Sequence, residues 1–403
     1  MTTVSRRNVL SLGAALGLTG ALAPTTAAWS WAPSGSIAGA GTGADPRWVW
    51  DDEIDQLMAN LIDRGDTART NKALLSWVNN NDPLPADVPA DLRDWLHRKT
   101  RLPTWADPAL LARSTDVSRR LDTHFFILYG VGGGIMSTVI PREAKSVYWS
   151  KGGADMQDRA AKTFAFGYDM AEIGGFTPRG QFLVTANKTR LVHAAVRHLL
   201  PQSPHWRAVA DETIPISQAD ILVTFHSTGT FAHMKLKEWG FLKNKDDDRA
   251  FLHSWQVALS QLGVRDEYIP ASWEDAEEQS RQVLTPILAP TPEGKKLAEE
   301  LLNMPNSLTF GLSRGLLNEF TRYLLNDDIG DWLGLKRDYV AAALIRTAWP
   351  VYMAFRRGTI PFLPVAYYGL DQFIRAFAMA FLNKGKDVRT TPITIPDMNR
   401  PSN

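Results

Sequence analysis

Apolar positions along this chain recur at intervals of three and four residues, and strict alternation is nearly absent. That spacing predicts helices over about 46–63, 108–139, 155–173, 187–200, 217–230, 247–264, 271–287, 338–357 and 365–383. Proline and glycine mark the breaks: Pro83, Pro85 and Pro89, a Gly174-Gly175 C-cap, and Pro201 after the helix that carries His193. Neither a strand–helix alternation nor an internal repeat is visible, and no linker divides the chain. One large all-α domain is therefore expected over residues 41–385, preceded by a leader at 1–40. Residues 386–403 read as a flexible, polar, proline-rich tail trailing along the surface, and Lys243 to Asp248, "KNKDDD", as a solvated loop.

The most apolar stretch after the leader is "FFILYGVGGGIMSTVI", Phe125 to Ile140. It is short for a membrane span, which needs roughly 20 apolar residues, so a buried central helix is expected. It also fails as a dinucleotide loop, because Ile135 stands where Gly130-x-Gly132 would need a third glycine and no strand precedes it. Glycines in a buried helix allow close approach of another backbone or of a flat ligand.

The leader "MTTVSRRNVLSLGAALGLTGALAP" joins Arg6-Arg7 to an apolar run ending at Leu22, with small-residue frames near Ala28 and at Ala38-Gly39-Ala40. This is the three-part layout of a twin-arginine export signal, which carries folded, cofactor-loaded proteins, so secretion is expected. About 360 residues would remain, enough for one large or two ordinary domains. Lysine plus arginine is 44 against 43 acids, which argues for no polyanionic partner such as nucleic acid. Cysteine is absent, so there is no disulfide, no thiolate ligand and no Cys-x-x-Cys-His haem attachment. Fourteen tryptophans can line an apolar pocket.

Candidate chemistry is thin by motif. His226 and His233 stand seven apart, but Gly229 lies between them and no third ligand follows at a metal spacing. Glu-x-x-His, Gly-x-Ser-x-Gly and His-Glu-x-x-His are all missing. His193, in "NKTRLVHAAVRHLLP", borders a stripe of Val192, Val196 and Leu199. It reads either as a satisfied core histidine or as a neutral iron ligand. In "RAAKTFAFGYDMAEIGG", Arg159, Lys162 and Thr163 share one helical face, while Phe164, Phe166 and Tyr168 suggest apolar surroundings for the lysine. Glu143, in "PREAKSVYW", follows the glycine helix directly. A solvated stripe remains the plain alternative for that face.

The segments "PREAKSV", "RAAKTFAFGYDMAE" and "LVHAAVRH" are similar to the latex clearing proteins, the secreted rubber oxygenases of actinobacteria. The similarity runs from about Trp48 to Asn383 and is sharpest over 140–200. It implies a globin-like helical core holding a non-covalent b-type haem, which cleaves poly(cis-1,4-isoprene) with O2. By that resemblance His193 is the proximal haem ligand and Lys162 the distal one, Glu143 is the catalytic glutamate, and Arg159 and Thr163 are functionally important. It further implies a polymeric hydrocarbon substrate, no membrane span, and a monomer. A haem peroxidase or monooxygenase on another apolar substrate, or an electron-transfer haem protein, remain as alternative functions.

These assignments make chemical sense. Only a neutral lysine has a lone pair for iron, and neutrality at pH 7 costs about 4–5 kcal/mol against a reference pKa near 10.4. Such a ligand is weakly held and opens readily. A buried Glu143 would have a raised pKa and could take an allylic proton as the alkene is attacked.

Overall fold

The computed structural model describes residues 35–39, 44–307, 313–360, 362–382 and 392–401. Among these residues the architecture is helical throughout, with only two isolated bridges, Ser36 to Pro270 and Ser150 to Asn399, in place of strands. The twin-arginine motif and its apolar run lie outside the described residues.

Every helix expected from periodicity is present. Several connections are also helical, including Thr67–Leu74, Ala90–Lys99, Pro292–Ser307 and Arg314–Leu325. The acidic run expected to be a solvated loop is instead a helix start. Asn244 accepts hydrogen bonds from the amides of Asp246 and Asp247, and the helix Lys245–Gln261 follows. The acids favour the positive end of the helix dipole. Asp247 also turns inward to bind Arg113 and Arg120, each at 2.8 Å.

Two hydrophobic cores share the helix Phe182–Leu199. Its Phe182, Leu183 and Ala186 join the larger core with Phe125, Phe225 and Phe251. Its Val184, Leu191, Ala194 and Ala195 join a second core around Trp77, Trp95 and Ile54. Residues 392–401 of the polar tail run over the surface and are stitched to it: Ile395 is buried beside Asn71, and Asn399 donates to the Leu199 carbonyl at 2.7 Å.

The glycine stretch forms one continuous but irregular rod. An α-helix over Asp122–Leu128 widens into a π-helix over Tyr129–Ile135 and tightens into a 3-10 turn over Met136–Val139. A second π-helix, His226–Thr230, packs against the first. A Cβ on Gly132 would collide with the Ser227 carbonyl and the Phe231 ring. Glycine there is what lets the two backbones touch. Gly134 meets nothing within 4 Å and faces open space. The backbone approach and the open face expected of these glycines thus occur on two sides of one rod.

Candidate functional site

Pro141 cannot continue the glycine rod, because its ring removes an amide proton and restricts Ile140 to extended geometry. The chain bends by 92° there, and the helix Pro141–Trp149 sets off with Glu143 in its first turn. Arg142 anchors that turn, 2.8 Å from Asp220 and 3.4 Å from Glu212. One helical turn beyond Asp220, the Thr224 hydroxyl donates to Glu143 Oε1 and also lies 3.1 Å from the Asp220 carbonyl. One hydroxyl carries one proton, so Glu143 and the Asp220 carbonyl compete for it. Burial, opposed by the Thr224 hydrogen bond and reinforced by Asp220, pushes the Glu143 carboxyl up to about 8. Only Arg159, among nearby charges, pulls it back down.

Arg159, Lys162 and Thr163 share the helix Met156–Ala171, which Asp155 caps by accepting from the Asp158 amide. Arg159 lies deep enough for burial to lower its pKa, against the pull of Glu143. It makes no hydrogen bond or ion pair with another described side chain. A half-buried guanidinium with no direct partner suits an anionic group. Lys162 differs from expectation in its surroundings. The aromatic neighbours point elsewhere, Phe164 onto Phe126 and Phe166 onto Phe182. Lys162 is about a quarter exposed and pairs with Asp158 at 2.7 Å. Thr163 is exposed, its hydroxyl donating to the Arg159 carbonyl at 3.1 Å.

On the helix Phe182–Leu199 two faces are consumed by the two cores, while Thr189, Val192, His193 and Val196 form a third face that keeps accessible surface. His193 is nonetheless deep. Burial, with the charges of Arg197 and Arg159, pushes its imidazole down to about 3, so it is neutral at any physiological pH. Its Nδ1 is buried without a partner. A deep ring that keeps accessible surface is open to a ligand on that side. His124 tests that reading, since both its nitrogens are also unpartnered and its pKa is likewise about 3. But His124 is 1% exposed, with Phe241 at 4.4 Å between ring centres, and has no room for a ligand. His226 and His233 are structural: the first bonds Thr230 and Gln279, the second bonds Asp248 and stacks on Trp273. Among the described residues no group of three His, Asp or Glu could hold a metal ion.

The fold thus brings Glu143, Arg159 and His193 into one electrostatic neighbourhood, since Arg159 acts on both of the others. Lys162 and Thr163 sit further along the same helix in more open positions. Sequence reasoning missed Thr224 and Asp220, the partners that fix Glu143 and its neighbour Arg142. The one local signal was polarity: Thr224 stands between the buried Val223 and Phe225 and keeps accessible surface. It also missed Asp169, which accepts a hydrogen bond from Thr185 and so ties the Lys162 helix to the His193 helix. A surface pocket of about 590 Å³ between Trp50, Arg98 and Arg265 is lined by none of the five candidate residues.

A helical fold that brings a partly buried acid of raised pKa near a neutral histidine matches what is known of other proteins. Residues 117–358, more than half of the chain, match the family described as ER-bound oxygenase mpaB/B'/Rubber oxygenase, catalytic domain. The rubber oxygenase of Streptomyces sp. (strain K30) is 49% identical over 410 positions, spanning the whole of both chains. The solved structure of latex clearing protein in its closed state superposes with a TM-score of 0.81 at 49% identity, covering 90% of this chain and 98% of that one. The fold and site define an all-α oxygenase catalytic domain. The chain belongs to the rubber oxygenase family.

Proposed function

We propose that this oxygenase holds a non-covalent haem b beside His193 and cleaves the double bonds of poly(cis-1,4-isoprene) internally with O2, as an exported protein carried by the twin-arginine pathway. The observation that carries the haem reading is His193: deep, neutral, unpartnered at Nδ1, and on a helix face that still has open surface. Arg159 is a half-buried cation suited to an anionic propionate, and Gly134 leaves the glycine rod open to a flat ligand. His193 and Lys162, the latter on leaving Asp158, would hold the iron. When bound, haem supplies the redox-active iron at which O2 is activated.

The remaining work falls to the protein. One O2 added across one C=C gives one aldehyde and one ketone with no atom left over, so the reaction needs no outside reductant and no net proton. Glu143 therefore serves as a shuttle: its carboxylate takes an allylic proton from the substrate and returns it before product leaves. Arg159 stabilises the ionised form during that interval. Thr163, exposed one residue from Lys162, is suited to the substrate's path. Polyisoprene offers only apolar contact, about 4 kcal/mol per fully buried five-carbon unit by the per-methylene rule. Identical units give no register, so a ladder of oligomers is expected.

A visible spectrum of the purified protein, taken with O2 uptake on rubber latex, tests the proposal. A Soret band and peroxide-independent oxygen consumption are expected. A colourless protein would overturn the cofactor, and turnover that requires hydrogen peroxide would make it a peroxidase.

A further inference from the structure

The helices Tyr339–Thr359 and Pro364–Leu382 both show large apolar side chains outward, and the second also buries charges. In the second, the buried side chains include charges: Asp371 is 1% exposed and Arg375 8%. Asp371 receives Arg356 at 2.5 Å, and Arg375 reaches Asp122 at 3.1 Å, where Gln372 also donates at 2.8 Å. Facing outward at i, i+3 and i+7 are Leu370, Phe373 and Phe377. The first helix does the same with Val340, Leu344, Val351 and Phe355, and Phe362 in the connection is 82% exposed. A surface helix ordinarily buries its apolar stripe and shows its charges. An apolar face of this extent marks a binding surface.

The face adjoins the candidate site. Phe381 and Leu382 pack on Ala160, Ala161 and Phe164 of the Lys162 helix, and Gln157 donates to the Phe381 carbonyl at 2.9 Å. Arg375 also lies over the Tyr168 ring at 3.3 Å.

We propose that the outward face of these two helices is the surface by which the enzyme adsorbs to bulk polyisoprene, next to the helix that carries Lys162 and Thr163. This rests on the polyisoprene reading above and extends it from the single polymer chain to the particle. Charge singles out the occupant. No acid occurs between Asp338 and Asp371. Of the cations on these helices, Arg356 and Arg375 are consumed internally and Arg357 donates to the Trp239 carbonyl at 3.0 Å, which leaves Arg346 alone. An anionic lipid surface is held by clusters of several cations, and a dimer interface has a polar rim. An uncharged hydrocarbon needs neither.

The test compares the full-length holoprotein with a variant carrying Val351→Ser, Phe355→Ser, Phe373→Ser and Phe377→Ser, all at exposed positions. Flotation with synthetic cis-polyisoprene particles should show at least a tenfold fall in the bound fraction. Soret band, melting temperature and gel-filtration volume should stay unchanged. Oxygen uptake should fall at low polymer and recover at high polymer. Equal flotation of both proteins would overturn the proposal. So would a wild-type dimer that the variant loses, or binding of wild type to anionic lipid vesicles but not to polymer. Because flotation is read without turnover, a wild type that floats but consumes no oxygen would sink the activity reading and leave the surface standing.

Discussion

Glu143 has neighbours that disagree about its proton. Burial and Asp220 favour the neutral acid, Arg159 and the Thr224 hydroxyl the carboxylate, and the balance lies at about 8. A shuttle must first be ionised to accept a proton, so turnover should rise with pH and level off above about 8. Asp220→Asn removes a negative charge and leaves the Arg142 cation under-neutralised, which should move the whole profile to lower pH. The same proton bears on stability with a definite sign. A folded pKa above the unfolded value near 4.3 favours the fold fully below that value, and the benefit is lost as pH rises through about 8. Glu143→Gln keeps shape and hydrogen-bonding capacity but cannot shuttle, so oxygen uptake should fall by about 10²–10⁴ with the Soret band intact. Near-full activity in that variant would reduce Glu143 to a structural acid. His193→Ala should lose most haem, whereas Lys162→Ala should keep haem and bind imidazole or carbon monoxide more readily than wild type; a Lys162→Ala spectrum identical to wild type would remove the lysine from the iron. Position, type and helical context of these residues were legible in the sequence through a resemblance. Their partners were not, because Thr224 lies 81 residues from Glu143 and only the folded chain joins them.

At the scale of elements, the glycine rod makes opposite predictions for two neighbours two residues apart. Gly132→Ala places a methyl into the Ser227 carbonyl and the Phe231 ring, so the second π-helix must retreat. Overpacking of this kind typically costs about 1–3 kcal/mol, and the melting temperature should fall with or without haem. Gly134→Ala meets no atom within 4 Å, so the polypeptide should be as stable as before. If the open side of the rod faces the haem, the new methyl should instead lower haem content or shift the Soret band. Parallel melting curves and spectra separate the two. The rod's existence and burial followed from composition, but its π geometry did not. Apolar spacing fixes which face is buried, whereas the widening at Tyr129–Ile135 answers a partner segment about a hundred residues away. For the same reason the helix at Lys245 was misread as a loop: three acids look solvated until the dipole of the helix they begin, and Arg113 and Arg120 beyond it, are in view. The two C-terminal helices were legible as helices, while the orientation of Pro364–Leu382 was not, since hydropathy alone would bury Phe373 and expose Asp371.

For the whole molecule, the leader is an expectation that the described residues touch at one point. Two small-residue frames offer cleavage, one near Ala28 and one at Ala38-Gly39-Ala40. Gly35 to Ile37 lie between them and are part of the fold. The Ile37 amide donates to the Ile269 carbonyl at 3.0 Å, the Ala271 amide donates to the Gly35 carbonyl at 2.8 Å, and Ser36 is 3% exposed. Ile37 packs on the larger core. Cutting after Ala40 would forfeit both hydrogen bonds, worth about 0.5–1.5 kcal/mol each, and part of the roughly 1.5–3 kcal/mol from burying an isoleucine. Cutting near Ala28 forfeits none of this. On the proposed export, the mature protein should therefore begin upstream of Gly35, which intact mass of the protein recovered from the culture medium measures directly. A recombinant chain starting at residue 41 should melt several degrees below one starting at 29, at roughly 2–4 °C per kcal/mol for a domain somewhat smaller than this one. A secreted mass corresponding to a start at 41, with no loss of melting temperature, would show that the pairing at Ile37 contributes nothing to the mature protein.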